Sequence, residues 1–284
     1  MRYAILSDIH ANLPALRAVI DDLAVRSIDA TICLGDAIGY YADSATVLGL
    51  LHDLVAPRGC VADGQPATAL LWVAGNHEWG VLKRIGAFQF SPAARAAIAQ
   101  TRADLPDATK KFLAGLPQRI AVDLGDGLVA TLVHAAPSDP VGANGASYIE
   151  NSEDAQEAAE AFETQICLLG HTHYPRICYQ IAYGERGWPR WATTDVFEQA
   201  LPGGSSELGD QRQILNPGSV GQPRDGDPRA SYAILDTAAR SFAVQRVPYD
   251  VEAAQSHVRA WLKHAPAELL DGHGGLAERL IRGI

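Results

Sequence analysis

An α/β fold in one domain, with two sheets held between helices, is what the sequence predicts. Three observations carry that expectation. The first half of the chain alternates apolar strand and amphipathic helix. The second half offers a series of short strands whose apolar faces must pack on something. No linker or internal repeat separates the halves. The 284 residues, 48% of them hydrophobic, are enough to bury one large core or two small ones.

"RYAILS" (2–7) reads as a buried strand, and "LPALRAVIDDLAVR" (13–26) as a helix with Leu16, Val19, Ile20 and Leu23 on one face. Asn12 suits its N-cap and Pro14 its first turn. "ATICLG" (30–35) is the next strand, followed by a helix around 44–56 and a third strand, "LLWVAG" (70–75). Ser91 and Pro92 open an Ala-rich helix. This βαβαβ order predicts a parallel sheet with helical cover. Next, "RIAVDL" (119–124) and "LVATLVH" (128–134) flank "GDG", a hairpin signal. Ser152 is the expected cap of an acidic helix, before the strand "ICLLG" (166–170). "ICYQIAY", "RQILN", "SYAILD" and "SFAVQRV" are further strands, and helices are expected near 250–264 and 275–282.

Charge and cysteine content exclude several classes. Acids outnumber bases 33 to 23, a net charge of −10, which argues against broad binding to nucleic acid or anionic membrane. No apolar run reaches the roughly 18 residues of a membrane span, and "MRYAILSDIH" is no secretion signal. Cys33, Cys60, Cys167 and Cys178 lack CxxC spacing; Cys33 and Cys167 read as buried thiols, and the expected compartment is the reducing cytoplasm.

Functional residues follow the strands. Asp8 and His10 come after the first, Asp36 after the second, and Asn76 and His77 after the third; His134 ends a later strand, and His171 and His173 follow "ICLLG". Parallel strands of an α/β sheet gather their carboxyl ends on one edge, where ligands bind, so these distant residues are expected to converge. Five of the nine histidines belong to the set. Imidazole, carboxylate and amide oxygen suit divalent Mn, Fe, Zn, Ni or Co, and the absence of cysteine disfavours a structural zinc site. The D-x-H and H-x-H spacings point alternate residues of an extended segment the same way. Seven donors are too many for one ion with an open position, so two metal ions are expected, with His77 left as the proton donor. The other histidines, His52, His257, His264 and His273, read as surface residues.

"SDIHANLPAL", "CLGDAIGY", "AGNHE", "LVHAAPSDP", "GHTHYP" and "NPGSVGQPRDGDPRASYAILD", in this order over residues 4–236, together resemble the calcineurin-like metallophosphoesterases, and most closely their small stand-alone bacterial and archaeal branch. The resemblance implies a four-layer α/β/β/α sandwich with two mixed β-sheets flanked by helices, as a single domain over 1–284. It also implies that Asp8, His10, Asp36 and His173 hold one ion, that Asp36, Asn76, His134 and His171 hold the other, and that a hydroxide between the ions is the nucleophile. His77 would protonate the leaving oxygen, and Gly170 would let the chain turn sharply beside the histidines. Two ions against Asp8, Asp36 and hydroxide leave a formal single positive charge, which attracts phosphate.

The chain departs from the pattern of the Ser/Thr protein phosphatases of that superfamily, G-D-x-x-D-R-G. Gly39 and Tyr40 stand where an aspartate and an arginine would be, so the carboxylate that orients the histidine must come from Asp43, Glu78 or nowhere. Ala11 and Ala135 replace glycines, with little effect expected. Gly218, Ser219 and Arg224 are candidate phosphate contacts, through backbone amides and a guanidinium, beside the alternative of a plain tight turn. The segment 184–211, with Trp188 and Trp191, reads as an insertion, either an elaborated hairpin or a flap or partner surface. The expected function is metal-dependent hydrolysis of small phosphate esters, with phosphodiesters or nucleotides favoured. Its rivals are a dinucleoside polyphosphate hydrolase, acting for instance on diadenosine tetraphosphate, and a non-catalytic scaffold on the same fold.

Overall fold

The computed structural model describes residues 1–56, 70–144, 147–183, 189–195 and 206–262. β1 (Arg2–Leu6), α1 (Leu13–Ala24), β2 (Ala30–Cys33) and α2 (Ser44–Val55) follow the predicted alternation. Asn12 caps α1 by accepting the Ala15 N–H at 3.2 Å, with Pro14 in the first turn. The third strand does not form. Segment 70–75 meets β2 through a single parallel bridge between Trp72 and Cys33. Beyond it the Ala74 N–H turns away to Pro117, and "GNHE" opens a helix, α3 (Asn76–Val81).

A 3-10 turn (Ala87–Gln89) precedes α4 (Pro92–Asp104), capped by Ser91, and α5 (Asp107–Ala114), which no sequence signal marked. β3 (Arg119–Asp123) and β4 (Val129–Val133) form the expected hairpin. The cap of α6 (Ser152–Ala159) is Asn151, not Ser152. Asn151 Oδ1 accepts the Glu153 and Asp154 N–H groups while the Asp154 carboxylate reaches back, a reciprocal capping box that moves Ser152 into the first turn.

β5 (Ile166–Leu168), β6 (Pro175–Tyr183), β7 (Pro189–Asp195), β8 (Ser206–Glu207), β9 (Gln213–Pro217), β10 (Ala230–Asp236) and β11 (Ser241–Val247) complete two sheets, and α7 (Val251–Leu262) packs on α1. One sheet runs β2-β1-β10-β11-β8 and the other β3-β4-β5-β9-β6-β7. The first is not purely parallel: β1 pairs in parallel with β2, but antiparallel with β10 on its other side. β4, β5 and β9 are mutually parallel within the second sheet. Both sheets are therefore mixed.

Alternation of side chains assigns the layers. In β1, Ala4 and Leu6 join the cluster under α1 and α2, whereas Tyr3 and Ile5 face the second sheet and meet Leu132, Leu168 and Leu215. In β5, Ile166 and Leu168 point between the sheets, while Cys167 packs with Ala155, Ala158 and Phe162 around α6. The order is helix, sheet, sheet, helix. Strands buried on both faces lose polar alternation, which is why β1 reads as a continuous apolar run.

Of segment 184–211, β7 pairs antiparallel with β6, from Arg176–Asp195 to Tyr183–Pro189. Trp191 is buried beside Cys178 and Ile214, so its indole is core and not a partner surface. Trp188, Cys60, His264, His273 and the helix expected near 275–282 lie outside the described residues. No described helix is long and apolar enough to cross a membrane.

Candidate metal centre

The carboxyl ends of β1, β2, β4 and β5 and the start of α3 meet at one edge shared by the two sheets, and there Asp8, His10, Asp36, Asn76, His77, His134, His171 and His173 converge. Apart from the less enclosed Asn76, all are buried. The ligand segments are not extended, as the alternate spacing suggested. Asp8, His10, Asp36, His171 and His173 have φ of 53°, 51°, 51°, 66° and 62°, a left-handed conformation that costs non-glycine residues roughly 1–3 kcal/mol each. Interleaved backbone bonds hold it: His10 N–H donates to Asp36 O at 2.9 Å, and Asp8 N–H to Gly35 O at 3.1 Å. Gly170 serves close approach, not turning, because a Cβ there would lie 1.8 Å from Ser7 Oγ and 2.5 Å from Asp8 Oδ2.

Three imidazoles are oriented by backbone carbonyls. Nδ1 of His10 meets Ile38 O at 3.2 Å, Nδ1 of His134 meets Leu34 O at 2.8 Å, and Nδ1 of His173 meets Gln222 O at 2.5 Å. If Nδ1 of His10 and of His173 donates its proton there, each Nε2 turns a lone pair inward. His10 and His173 then face each other Nε2 to Nε2 at 3.1 Å, an arrangement that a cation relieves. Asp8 Oδ1 and His171 Nε2 are buried without a hydrogen-bond partner. The residues present therefore fit metal binding.

Two donor groups are evident. Asp8, His10 and His173 form one, with Asp8 Oδ1 3.2 Å from His173 Nε2 and 3.8 Å from His10 Nε2. Asp36, His134 and His171 form the other, with Asn76 Oδ1 3.1 Å from His134 Nε2. Asp36 Oδ2 stands between them, 3.4 Å from His134 Nε2 and 3.8 Å from His10 Nε2. His77 Nε2 is 3.9 Å from the same oxygen, and His10, Asp36 and His77 are also close enough to hold an ion.

Burial pushes the His10 and His173 imidazoles down, His77 to about 4 and His171 to about 3. At His134 burial is outweighed by the Asp36 charge, which raises it to about 10. Burial would raise Asp36 in turn, but the His134 and His77 imidazoles hold it well below the usual carboxylate range.

Residues 1–240 match the family model described as the calcineurin-like phosphoesterase superfamily domain. The chain belongs to that superfamily. A metallophosphoesterase from Sphaerobacter thermophilus superposes with a TM-score of 0.75 at 33% identity, covering 100% of this chain and 99% of that one. An uncharacterised protein of Methanocaldococcus jannaschii is 30% identical over 257 residues, 90% of each chain. A hypothetical protein from Pyrococcus horikoshii OT3, at 17% identity and TM-score 0.62 over 96% and 97% of the two chains, shares the fold.

Neither carboxylate proposed to orient the histidine of this calcineurin-like phosphoesterase touches it. Asp43 bonds His257 Nδ1 at 2.7 Å, so His257 is tied to α2 and is not simply a surface residue. Glu78 accepts the N–H groups of Asp36 (2.9 Å), Ala37 (2.9 Å) and Gly75 (2.8 Å), clamping two ligand loops together. Burial, then the charge of Asp36, pushes Glu78 up to about 7. His77 is instead boxed by rings, with centroids of His10, Tyr40 and Phe90 at 4.7, 4.8 and 5.5 Å. Its Nδ1 is unpartnered and faces Gly39, where a Cβ would sit 1.9 Å away.

A cavity of about 550 Å³ opens over Asp36, Asn76, His77, His171 and His173, with Arg224 in its lining. Arg224 Nη2 donates to Gln222 at 3.1 Å, and its buried Nε has no partner. Gly218 and Ser219 do not line this cavity. The Gly218 N–H is spent on Asn216 Oδ1 at 2.8 Å; the Ser219 hydroxyl donates to Asp8 O at 2.7 Å and accepts from Gln222 N–H at 2.8 Å. Both stiffen the loop behind Asp8. Sequence reasoning missed Phe90, Tyr148 and Tyr174 in the lining and Asn216, whose Nδ2 holds Gly170 O at 2.7 Å. Only the adjacency of Tyr174 to "GHTH" was a signal.

Proposed function

We propose that this protein is a metal-dependent phosphohydrolase acting on small phosphate esters, phosphodiesters and nucleotides foremost, with two divalent ions shared through Asp36. The observation that carries the reading is the pair of inward-facing nitrogens on His10 and His173 beside Asp8, repeated across Asp36 by His134 and His171. Asp8, His10, Asp36 and His173 would hold one ion and Asp36, Asn76, His134 and His171 the other. Divalent cations bound there would supply a nucleophile from water at neutral pH and neutralise charge on phosphoryl oxygens. Their identity among Mn, Fe, Zn, Ni and Co follows supply as much as ligand chemistry.

The chain's own residues do the rest. Arg224, in the lining of the cavity, meets the phosphoryl oxygens. His77, boxed by rings, keeps a fixed orientation at the cavity floor. An anionic phosphoryl group beside it favours its protonated form, which delivers a proton to the leaving oxygen. The thiols of Cys33, Cys167 and Cys178 are buried, in keeping with the reducing cytoplasm.

Purified protein, loaded with each metal in turn, is assayed against bis(p-nitrophenyl) phosphate, p-nitrophenyl phosphate and diadenosine tetraphosphate, with bound metal counted by mass spectrometry. Diester turnover with two bound ions is expected. Cleavage of the tetraphosphate alone would favour the anhydride hydrolase, and metal-loaded protein inert towards the whole panel would favour the scaffold.

A further inference from the structure

The wall of the cavity is chemically unlike its floor. Tyr40, Phe90, Tyr148 and Tyr174 are four of its thirteen lining residues, in a chain that is only 7% aromatic. Tyr40 and Phe90 are occupied in boxing His77. Tyr148 is differently placed. It stacks on His171, with centroids 4.3 Å apart and planes at 23°, yet it remains 38% exposed. One face of the ring lies on the imidazole, and the residue also lines the cavity. Arg224 lines the same cavity and its charge acts on the Tyr148 phenol, which sets a cation near the aromatic platform. Among the described residues, Asp36 is the lining's one carboxylate, and it belongs to the floor and not to the wall. An open ring beside a guanidinium suits a ligand that is flat and apolar at one end and anionic at the other.

We infer that Tyr148 is the platform of a subsite for a planar aromatic group carried by the phosphate ester, a nucleobase or a simple aryl ring, with Arg224 on the adjoining phosphate. The inference rests on the phosphohydrolase reading for the placement of phosphate, but equilibrium binding tests it separately. Base–aromatic stacking tolerates any flat ring, so the subsite selects for aromaticity and not for one base. Tyr148 acts on binding, and its effect belongs in KM and Kd more than in kcat.

Calorimetry on manganese-loaded protein compares AMP, phenyl phosphate and methyl phosphate. AMP or phenyl phosphate should bind about tenfold tighter than methyl phosphate, the effect of one stack. Which of the two gains shows whether the ring sits at nucleoside distance or directly on the phosphate. Tyr148→Ala should remove most of that preference with both ions retained, and Tyr148→Phe should keep it, since the ring survives. A kinetic arm uses thymidine 5′-(p-nitrophenyl phosphate) and methyl p-nitrophenyl phosphate, which share a leaving group; Tyr148→Ala should raise KM about tenfold for the first and distinctly less for the second. Equal affinity of the wild-type protein for all three ligands would overturn the subsite. So would an equal loss for all three in Tyr148→Ala, or loss of metal, either of which reduces Tyr148 to a prop for His171. If neither ester is hydrolysed, the diesterase part of that reading falls, while calorimetry still decides the subsite.

Discussion

On the floor of the cavity, His10, His134 and His173 each tie one ring nitrogen to a backbone carbonyl, and Asp36 Oδ1 receives the His77 N–H at 2.9 Å. On the wall, Tyr148 rests on His171 by stacking and stays partly exposed. Floor residues are fixed by directional bonds in a water-poor setting, where misplacement by an ångström is costly. Wall residues are fixed by contact area, which tolerates repacking. Floor substitutions should therefore abolish function, whereas wall substitutions should change which ligand is preferred.

The hardest blow to the floor is Asp36→Asn. One oxygen of Asp36 serves both donor groups, so bound metal should fall at both together. Turnover should drop about a thousandfold, the scale of several kcal/mol of lost charge stabilisation. Unchanged metal content by mass spectrometry would show that Asp36 is not shared. His77→Ala should keep both ions and cut kcat by about 10²–10⁴; loss of an ion instead would make His77 a ligand.

Glu78→Gln probes the clamp beneath the floor. Its carboxylate accepts backbone N–H groups on both oxygens, and an amide nitrogen cannot accept. Metal affinity measured by calorimetry should weaken about 10–100-fold, as for other outer supports of ligand loops. Affinity equal to wild type would show that the two loops hold each other without it.

Acid should separate floor from wall without mutation. His10, His77, His171 and His173 are all pushed below 6.5 and stay neutral in the fold, whereas unfolded imidazoles take up protons near 6.5. Their contribution to stability is complete above about pH 6.5 and drains away as pH falls through about 4. His134, raised to about 10, works in the opposite sense: its contribution is present below about 6.5 and lost as pH rises through about 10. The His134 contribution is constant below about pH 6.5, so the four lowered groups decide that range and Tm should fall between about pH 6.5 and 4. With cations bound the loss should be steeper, because protons compete for the same nitrogens. A flat Tm across that range would contradict neutral buried imidazoles.

The mildest effect concerns Ala11, which stands at φ 60° and is buried. Ala11→Gly should raise Tm by about 2–4 °C, roughly 1 kcal/mol of relieved strain. The equivalence expected for alanine at a family glycine position gives way to a measurable cost.

The convergence of the candidate residues was legible because each sits where an apolar run ends, and strand ends converge whatever the details of pairing. The order of the strands was not, since β10 slots beside β1 from more than 200 residues away and nothing local announces such a partner. Segment 70–75 read as a strand because a buried extended run needs the same residues, whether it pairs along its length or at one bridge. The wall was invisible for a related reason: Phe90, Tyr148 and Tyr174 come from separate loops, and lone aromatics carry no spacing. Ser219 and Gly218 show the converse, where a Gly- and Ser-rich turn that could cradle phosphate spends its donors on its own chain.

The left-handed posture of Asp8, His10, Asp36, His171 and His173 has an evolutionary reading. Such corners persist only while something rewards them. A descendant that gave up its ions would gain durability by letting these bends relax, and drift would erase them before it erased the strands. Backbone angles at the equivalent positions then become a gauge that separates working members of such a lineage from retired ones, even where the side chains have been kept.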